Sequence, residues 1–191
     1  MFRKIAALGL AASLVALTSC QAGAGGGELE GVFNTGSVYY LKTNLHADST
    51  RRQLYSTNYL QATLLPLGSE VTIDSVSSKK IQFTMVATAQ TFTYTRDKHL
   101  QESFASNLER YFGTTDESGA VASMSAEDQE GIKVGKAMVG MTREGVTLAI
   151  GYPPDHATPS LDSPVWQYWK NRWVRSVVTF NDDGIVTSVE G

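Results

Sequence analysis

The chain has 191 residues, a formal net charge of −3 and a hydrophobic fraction of 42%, enough for one ordinary domain or two small ones. The acidic balance argues against nucleic-acid binding, which needs basic surface to displace counterions, and gives no polybasic signal for anionic lipid. The single cysteine excludes an internal disulfide, so stability must come from core burial.

The chain opens Met1-Phe2-Arg3-Lys4, a basic start, and thirteen apolar residues run from Ile5 to Leu17. That run is short for a bilayer span and suits the apolar region of a secretory signal. Leu17-Thr18-Ser19-Cys20 follows: small residues, then cysteine. This order resembles the lipobox of bacterial lipoproteins. The resemblance implies a signal peptide over 1–19, cleavage, and lipid attachment at Cys20. Removing residues 1–19 takes Arg3 and Lys4 and no acid, leaving 14 basic against 19 acidic residues and a net of −5. Residues 20–31 carry the Gly-rich run Gly23-Ala24-Gly25-Gly26-Gly27 and read as a flexible tether. Gln21 stands where an Asp, by the family rule, retains many lipoproteins in the inner membrane, so an outer-membrane anchor facing the periplasm is implied. No second hydrophobic run approaches a membrane span.

Residues 32–113 read as a β-rich module ending in a helix. Val38, Tyr40 and Tyr39, Leu41 alternate, Val71, Ile73 and Ser75 alternate with Thr72, Asp74 and Val76, and Ile81, Phe83 and Met85 share a face, as do Phe92 and Tyr94. Period two bounded by turn residues predicts half-buried antiparallel strands in a small barrel or curled sheet. Leu64 to Val71 resembles the turn-into-strand segment of bacterial SH3-like domains. From Asp97 to Phe112 the period changes: Leu100, Phe104, Leu108, Tyr111 and Phe112 fit a helical stripe, with Asp97 available as its cap. Residues 114–124 are small and polar and predict a linker.

Residues 125–191 predict two helices on one face of a three-stranded antiparallel sheet, making the whole chain α+β. Ser125-Ala126-Glu127-Asp128 starts the first helix and Gly140 ends it. Thr142 caps the second, which stops at Gly151 before Pro153-Pro154. Strands follow over 165–170, 173–180 and 185–189, with a turn at Asn181-Asp182-Asp183-Gly184. Gly140-Met141-Thr142, Val146 to Pro153, Trp166-Gln167-Tyr168 and Val178 to Val186 together resemble the SmpA/OmlA (BamE-like) lipoprotein domain over about residues 126–190. The resemblance implies an ααβββ fold, a lipid anchor and a role beside outer-membrane β-barrel assembly. The chain departs from that family in the extra strands and helix between tether and domain.

Motifs for chemistry are absent. His46, His99 and His156 are scattered without ligand spacing, Asp182-Asp183-Gly184 lacks the rest of a calcium loop, and no nucleophile elbow occurs. No enzyme activity, metal or cofactor is expected. All three tryptophans lie in one cluster: Trp166, Tyr168, Trp169 and Trp173, with Arg172 and Arg175 nearby. Trp166 and Tyr168 share a strand face, predicted to turn toward the helices, while Trp169 points the other way. Some of these rings must be core, and the remainder are candidates for a partner surface, being the residue types of interface hot spots. The expectation is a lipid-anchored accessory factor that binds an envelope protein. A cell-wall ligand module and an inhibitor of an envelope enzyme stand as alternatives.

Overall fold

The computed structural model describes Leu29 and residues 31–191; the expected signal segment, Cys20 and most of the tether lie outside the described residues. The architecture is α+β, with a curled six-stranded sheet, a separate three-stranded antiparallel sheet, a two-stranded pairing and few helices. Among the described residues no helix is long and apolar enough to cross a membrane.

The N-terminal half contains β1 (Val38–Leu41), β2 (Leu45–Ala47), β3 (Gln53–Tyr55), β4 (Thr63–Leu65), β5 (Glu70–Ser77), β6 (Lys80–Met85), β7 (Thr91–Thr95), α1 (Phe104–Glu109) and β8 (Phe112–Gly113). The large sheet runs β3-β7-β6-β5-β1-β8, and β2 pairs with β4 separately. Its neighbours are antiparallel except β3, which lies parallel to β7. The inward sets are Val71 and Ile73, Ile81 and Phe83, and Phe92 and Tyr94, all buried, as alternation requires. Phe83 meets Phe112 at 5.2 Å and Tyr94 stacks near Phe104 at 6.1 Å, so α1 covers the core while β8, the end strand of the sheet, adds Phe112 to it. Burying each such ring contributes on the order of 1.5–3 kcal/mol.

Four local expectations are corrected here. Leu29 is fully buried in this core, so packing begins inside the stretch read as tether. In β5 the register shifts between Ile73 and Ser75; this bulge leaves Ser75 exposed and turns Val76 onto the core, reversing the face. The helix expected over 97–112 is only α1. Ser103 caps it by accepting from the Ser106 N–H at 3.0 Å, Asp97 instead accepts from the His99 N–H, and Phe112 pairs with Leu41 as strand. The apolar stripe is still used, but by helix, turn and strand in succession. Residues 118–123, expected as linker, form a 3-10 turn from which Val121 packs on the second core.

The C-terminal half contains α2 (Ala126–Val134), α3 (Arg143–Ile150), β9 (Val165–Trp169), β10 (Arg175–Phe180) and β11 (Val186–Glu190), with β10 central. Ser125 and Thr142 cap the two helices through their hydroxyls, satisfying orphan N–H groups. α2 stops at Gly135, in the left-handed region at φ 65°, and not at Gly140 as expected. Asp128, 1% exposed, holds the helix pair: its carboxylate accepts from the Thr142 N–H at 2.8 Å and hydroxyl at 3.1 Å. Gly145 faces it so closely that a Cβ there would overlap Asp128 Oδ1. Ile132, Val146, Ala149 and Ile150 of the helices bury Trp166, Tyr168, Val178 and Phe180 of the sheet.

Polar side chains join the halves. Asn44, 2% exposed, donates to the carbonyls of Ile132 at 2.6 Å and Ala149 at 3.1 Å and accepts from the Leu67 N–H at 2.8 Å. Asn58, at φ 53°, donates to the carbonyls of Ile150 and Tyr152 at 2.8 and 2.7 Å. The Leu60 N–H donates to the Trp169 carbonyl at 2.8 Å, which occupies the Trp169 end of the outer edge of β9. Arg110 lies over the Tyr152 ring at 5.0 Å.

Candidate functional site

The aromatic and basic cluster divides between core and surface along β9 and the turn that joins it to β10. Trp166 is 1% exposed and Tyr168 is fully buried. Trp166 packs edge-on to Phe180 at 4.8 Å and its indole donates to the Leu161 carbonyl at 3.2 Å. The Tyr168 hydroxyl donates to the Gly151 carbonyl at 2.9 Å, and burial pushes its pKa well up. Both residues were candidates for a partner surface. That role is corrected: with their rings under α2 and α3 they have nothing to offer a partner.

The remaining four candidates stay at the surface. Register pairs Trp169 with Arg175, Gln167 with Val177 and Val165 with Thr179, placing these six side chains together on the face away from the helices. The Arg175 guanidinium lies 4.4 Å from the Trp169 ring centroid, a cation–π pair. Trp169 is half-buried and its indole N–H is shielded with no hydrogen-bond partner among the described residues. Beyond the strand ends, Asn171 Oδ1 accepts from the N–H groups of Trp173 and Val174 at 2.8 and 3.0 Å, which fixes the hairpin tip. Trp173 there is 78% exposed, the most exposed large apolar side chain among the described residues. Arg172 lies over its ring at 4.8 Å, and Val174 beside it is 42% exposed. Lys170, Arg172 and Arg175 are exposed, and no acid occurs between Asp162 and Asp182. A cationic, tryptophan-bearing tip therefore adjoins a mixed apolar and polar sheet face on an acidic chain.

Elsewhere the fold brings two distant histidines together. The His99 and His156 rings lie 5.6 Å apart, near Arg110, which pairs with Glu102 at 3.0 Å and approaches Asp155 at 3.9 Å. No group of three or more His, Cys, Asp or Glu side chains converges on a metal position among the described residues. His46 stands apart at the seam, its ring nitrogens 3.3 Å from the carbonyls of Gln61 and Ala149; burial lowers its pKa.

Sequence reading found the cluster and the face on which Trp166 and Tyr168 lie, but not the role of Asn44 and Asn58 at the seam. Lone asparagines carry no periodic signal; only their distant partners reveal them. Compared with protein-family models, with curated proteins and with solved structures, the chain gives no match.

Proposed function

We propose that this chain is an outer-membrane lipoprotein, anchored by lipid on Cys20, that binds an envelope protein through the hairpin tip around Trp173 and the adjoining helix-free sheet face. The observation that carries the reading is Trp173 at 78% exposure beneath the Arg172 guanidinium. A large ring left in water at the end of a hairpin gains little from folding and gains much from a partner that desolvates it. Tryptophan and arginine together are the residues that dominate interface energetics. The mixed face runs from the tip to Val165, itself 38% exposed, giving an extended surface beyond the tip.

The finer fold assignments belong to the same proposal. The succession α2, α3, β9, β10, β11 supports an ααβββ domain of the SmpA/OmlA (BamE-like) kind, and the curled sheet of the N-terminal half supports an SH3-like module. The acidic chain around a basic tip favours a partner with a carboxylate-bearing surface, since complementary charge speeds encounter and fixes register.

Two measurements test the proposal. Fatty-acid labelling should mark the wild type and miss Cys20→Ser; equal labelling of both removes the anchor from the proposal. Capture from envelope extract should recover a defined protein with the wild type and lose it with Trp173→Ala and Arg172→Glu. Recovery of wall fragments in its place would favour the ligand-module alternative.

A further inference from the structure

A concavity that shares only Lys170 with the hairpin tip opens on the helix side of the C-terminal sheet, where the two halves meet. Beyond the end of α2 at Gly135, beside Ser176 and Val189 of the sheet, lies a groove of about 440 Å³. Its walls are Leu60, Leu64, Val134, Ala137, Ile150 and Val189. The two halves touch at one side of it, since a Cβ on Gly135 would lie 2.6 Å from Leu64 Cδ1 and 3.2 Å from His46 Cε1. Apolar concavities of this size at a junction between structural units are the usual form of small-ligand sites.

The polar groups restrict the ligand. Lys136 and Lys170 are the charged side chains of the lining, and no acidic side chain joins them. Lys136 is exposed and makes no ion pair among the described residues. The Lys170 ammonium is already engaged, donating to the main-chain oxygen of Gly191 at 2.7 Å. Both ring nitrogens of His46 already face carbonyls of the seam. The groove thus offers hydrocarbon contact and positive charge, with one buried polar atom, Gln61 Oε1, lacking a hydrogen-bond partner among the described residues. We propose that it binds a single-chain anionic amphiphile of the fatty-acid class, with the hydrocarbon against Leu60, Leu64, Val134 and Val189 and the carboxylate paired with a rim lysine. The proposal is independent of the protein-binding role of the hairpin tip.

The test is calorimetric titration of the purified protein, free of detergent, with dodecanoate at concentrations below micelle formation. One site per chain is expected. Lys136→Glu should weaken it at least tenfold, and dodecanol, with the same chain and no charge, should bind at least tenfold more weakly than dodecanoate. Lys136 is exposed and its replacement leaves the core alone; unchanged tryptophan emission of the variant checks this. Val134→Glu, at a position 40% exposed, should weaken binding as well by placing like charge in the wall. The proposal is overturned if dodecanoate gives no saturable binding, if dodecanol binds equally well, or if neither variant changes the affinity.

Discussion

Replacing Asn44 with alanine should weaken the C-terminal half although the residue lies in the N-terminal half. Its side chain makes three hydrogen bonds, two across the seam to Ile132 and Ala149 and one to Leu67 on its own side. The losses differ in kind. Ile132 O still accepts from the Gly135 N–H at 3.2 Å, and Ala149 O still faces His46 Nε2 at 3.3 Å. The Leu67 N–H has Asn44 Oδ1 as its acceptor and would be orphaned. One orphaned donor costs about 1–3 kcal/mol, and weakening the two carbonyls raises the total to about 2–4 kcal/mol. With a urea slope of about 2 kcal/mol/M, the midpoint should fall by about 1–2 M. The sequence supplies a clean probe, since every tryptophan lies between residues 166 and 173, so indole emission reports only the C-terminal half. Near-UV dichroism of the tyrosines, most of which lie in the N-terminal half, reports the other. Both midpoints should fall together. If the emission midpoint stays in place while the tyrosine signal shifts, the seam does not couple the halves and the reasoning fails.

Trp166→Ala should cost about 3–5 kcal/mol, as large core truncations do, whereas Trp173→Ala should cost under about 0.5 kcal/mol at an exposed site; urea unfolding of both measures the difference. Gly145→Ala should destabilise by about 1–3 kcal/mol through overlap with Asp128, and thermal unfolding should show it; an unchanged midpoint would mean that α2 and α3 separate freely. For His46, burial lowers the pKa from 6.5 in the fold, with the two seam carbonyls opposing in part. As pH falls through about 6.5 the unfolded chain takes up this proton first, so stability declines with falling pH until the folded state is protonated too. His46→Gln should flatten that slope in urea midpoints measured between pH 7.5 and 5, and an unaltered slope would assign it to other groups.

Much of the fold was legible because the relevant signals are local. Alternation at Ile81, Phe83 and Met85 and at Phe92 and Tyr94 identified inward faces, and Ser125, Thr142 and Gly151 marked helix ends through their capping chemistry. What the sequence hid depends on partners far along the chain. β3 finds a parallel neighbour in β7, which no local pattern announces, and Phe112 leaves its helical stripe to pair with Leu41. The bulge after Ile73 inverted a face for the same reason: alternation describes a strand alone, whereas register belongs to the pair. For the candidate site, residue type located the cluster, and strand alternation separated Trp166 and Tyr168 from Trp169. The exposure of Trp173 and the groove near Lys136 follow from where α2 and the hairpin end in space.

The most direct test of the partner surface is site-specific photocrosslinking in intact cells. A photoreactive residue is placed in turn at position 173, at position 165, and at position 79 in the exposed turn between β5 and β6. Protein adducts of one defined mass at 173 and 165, with none at 79, are the expected result. No adduct at 173, or the same adducts at all three positions, would contradict the assignment of the hairpin tip and helix-free face as the binding surface.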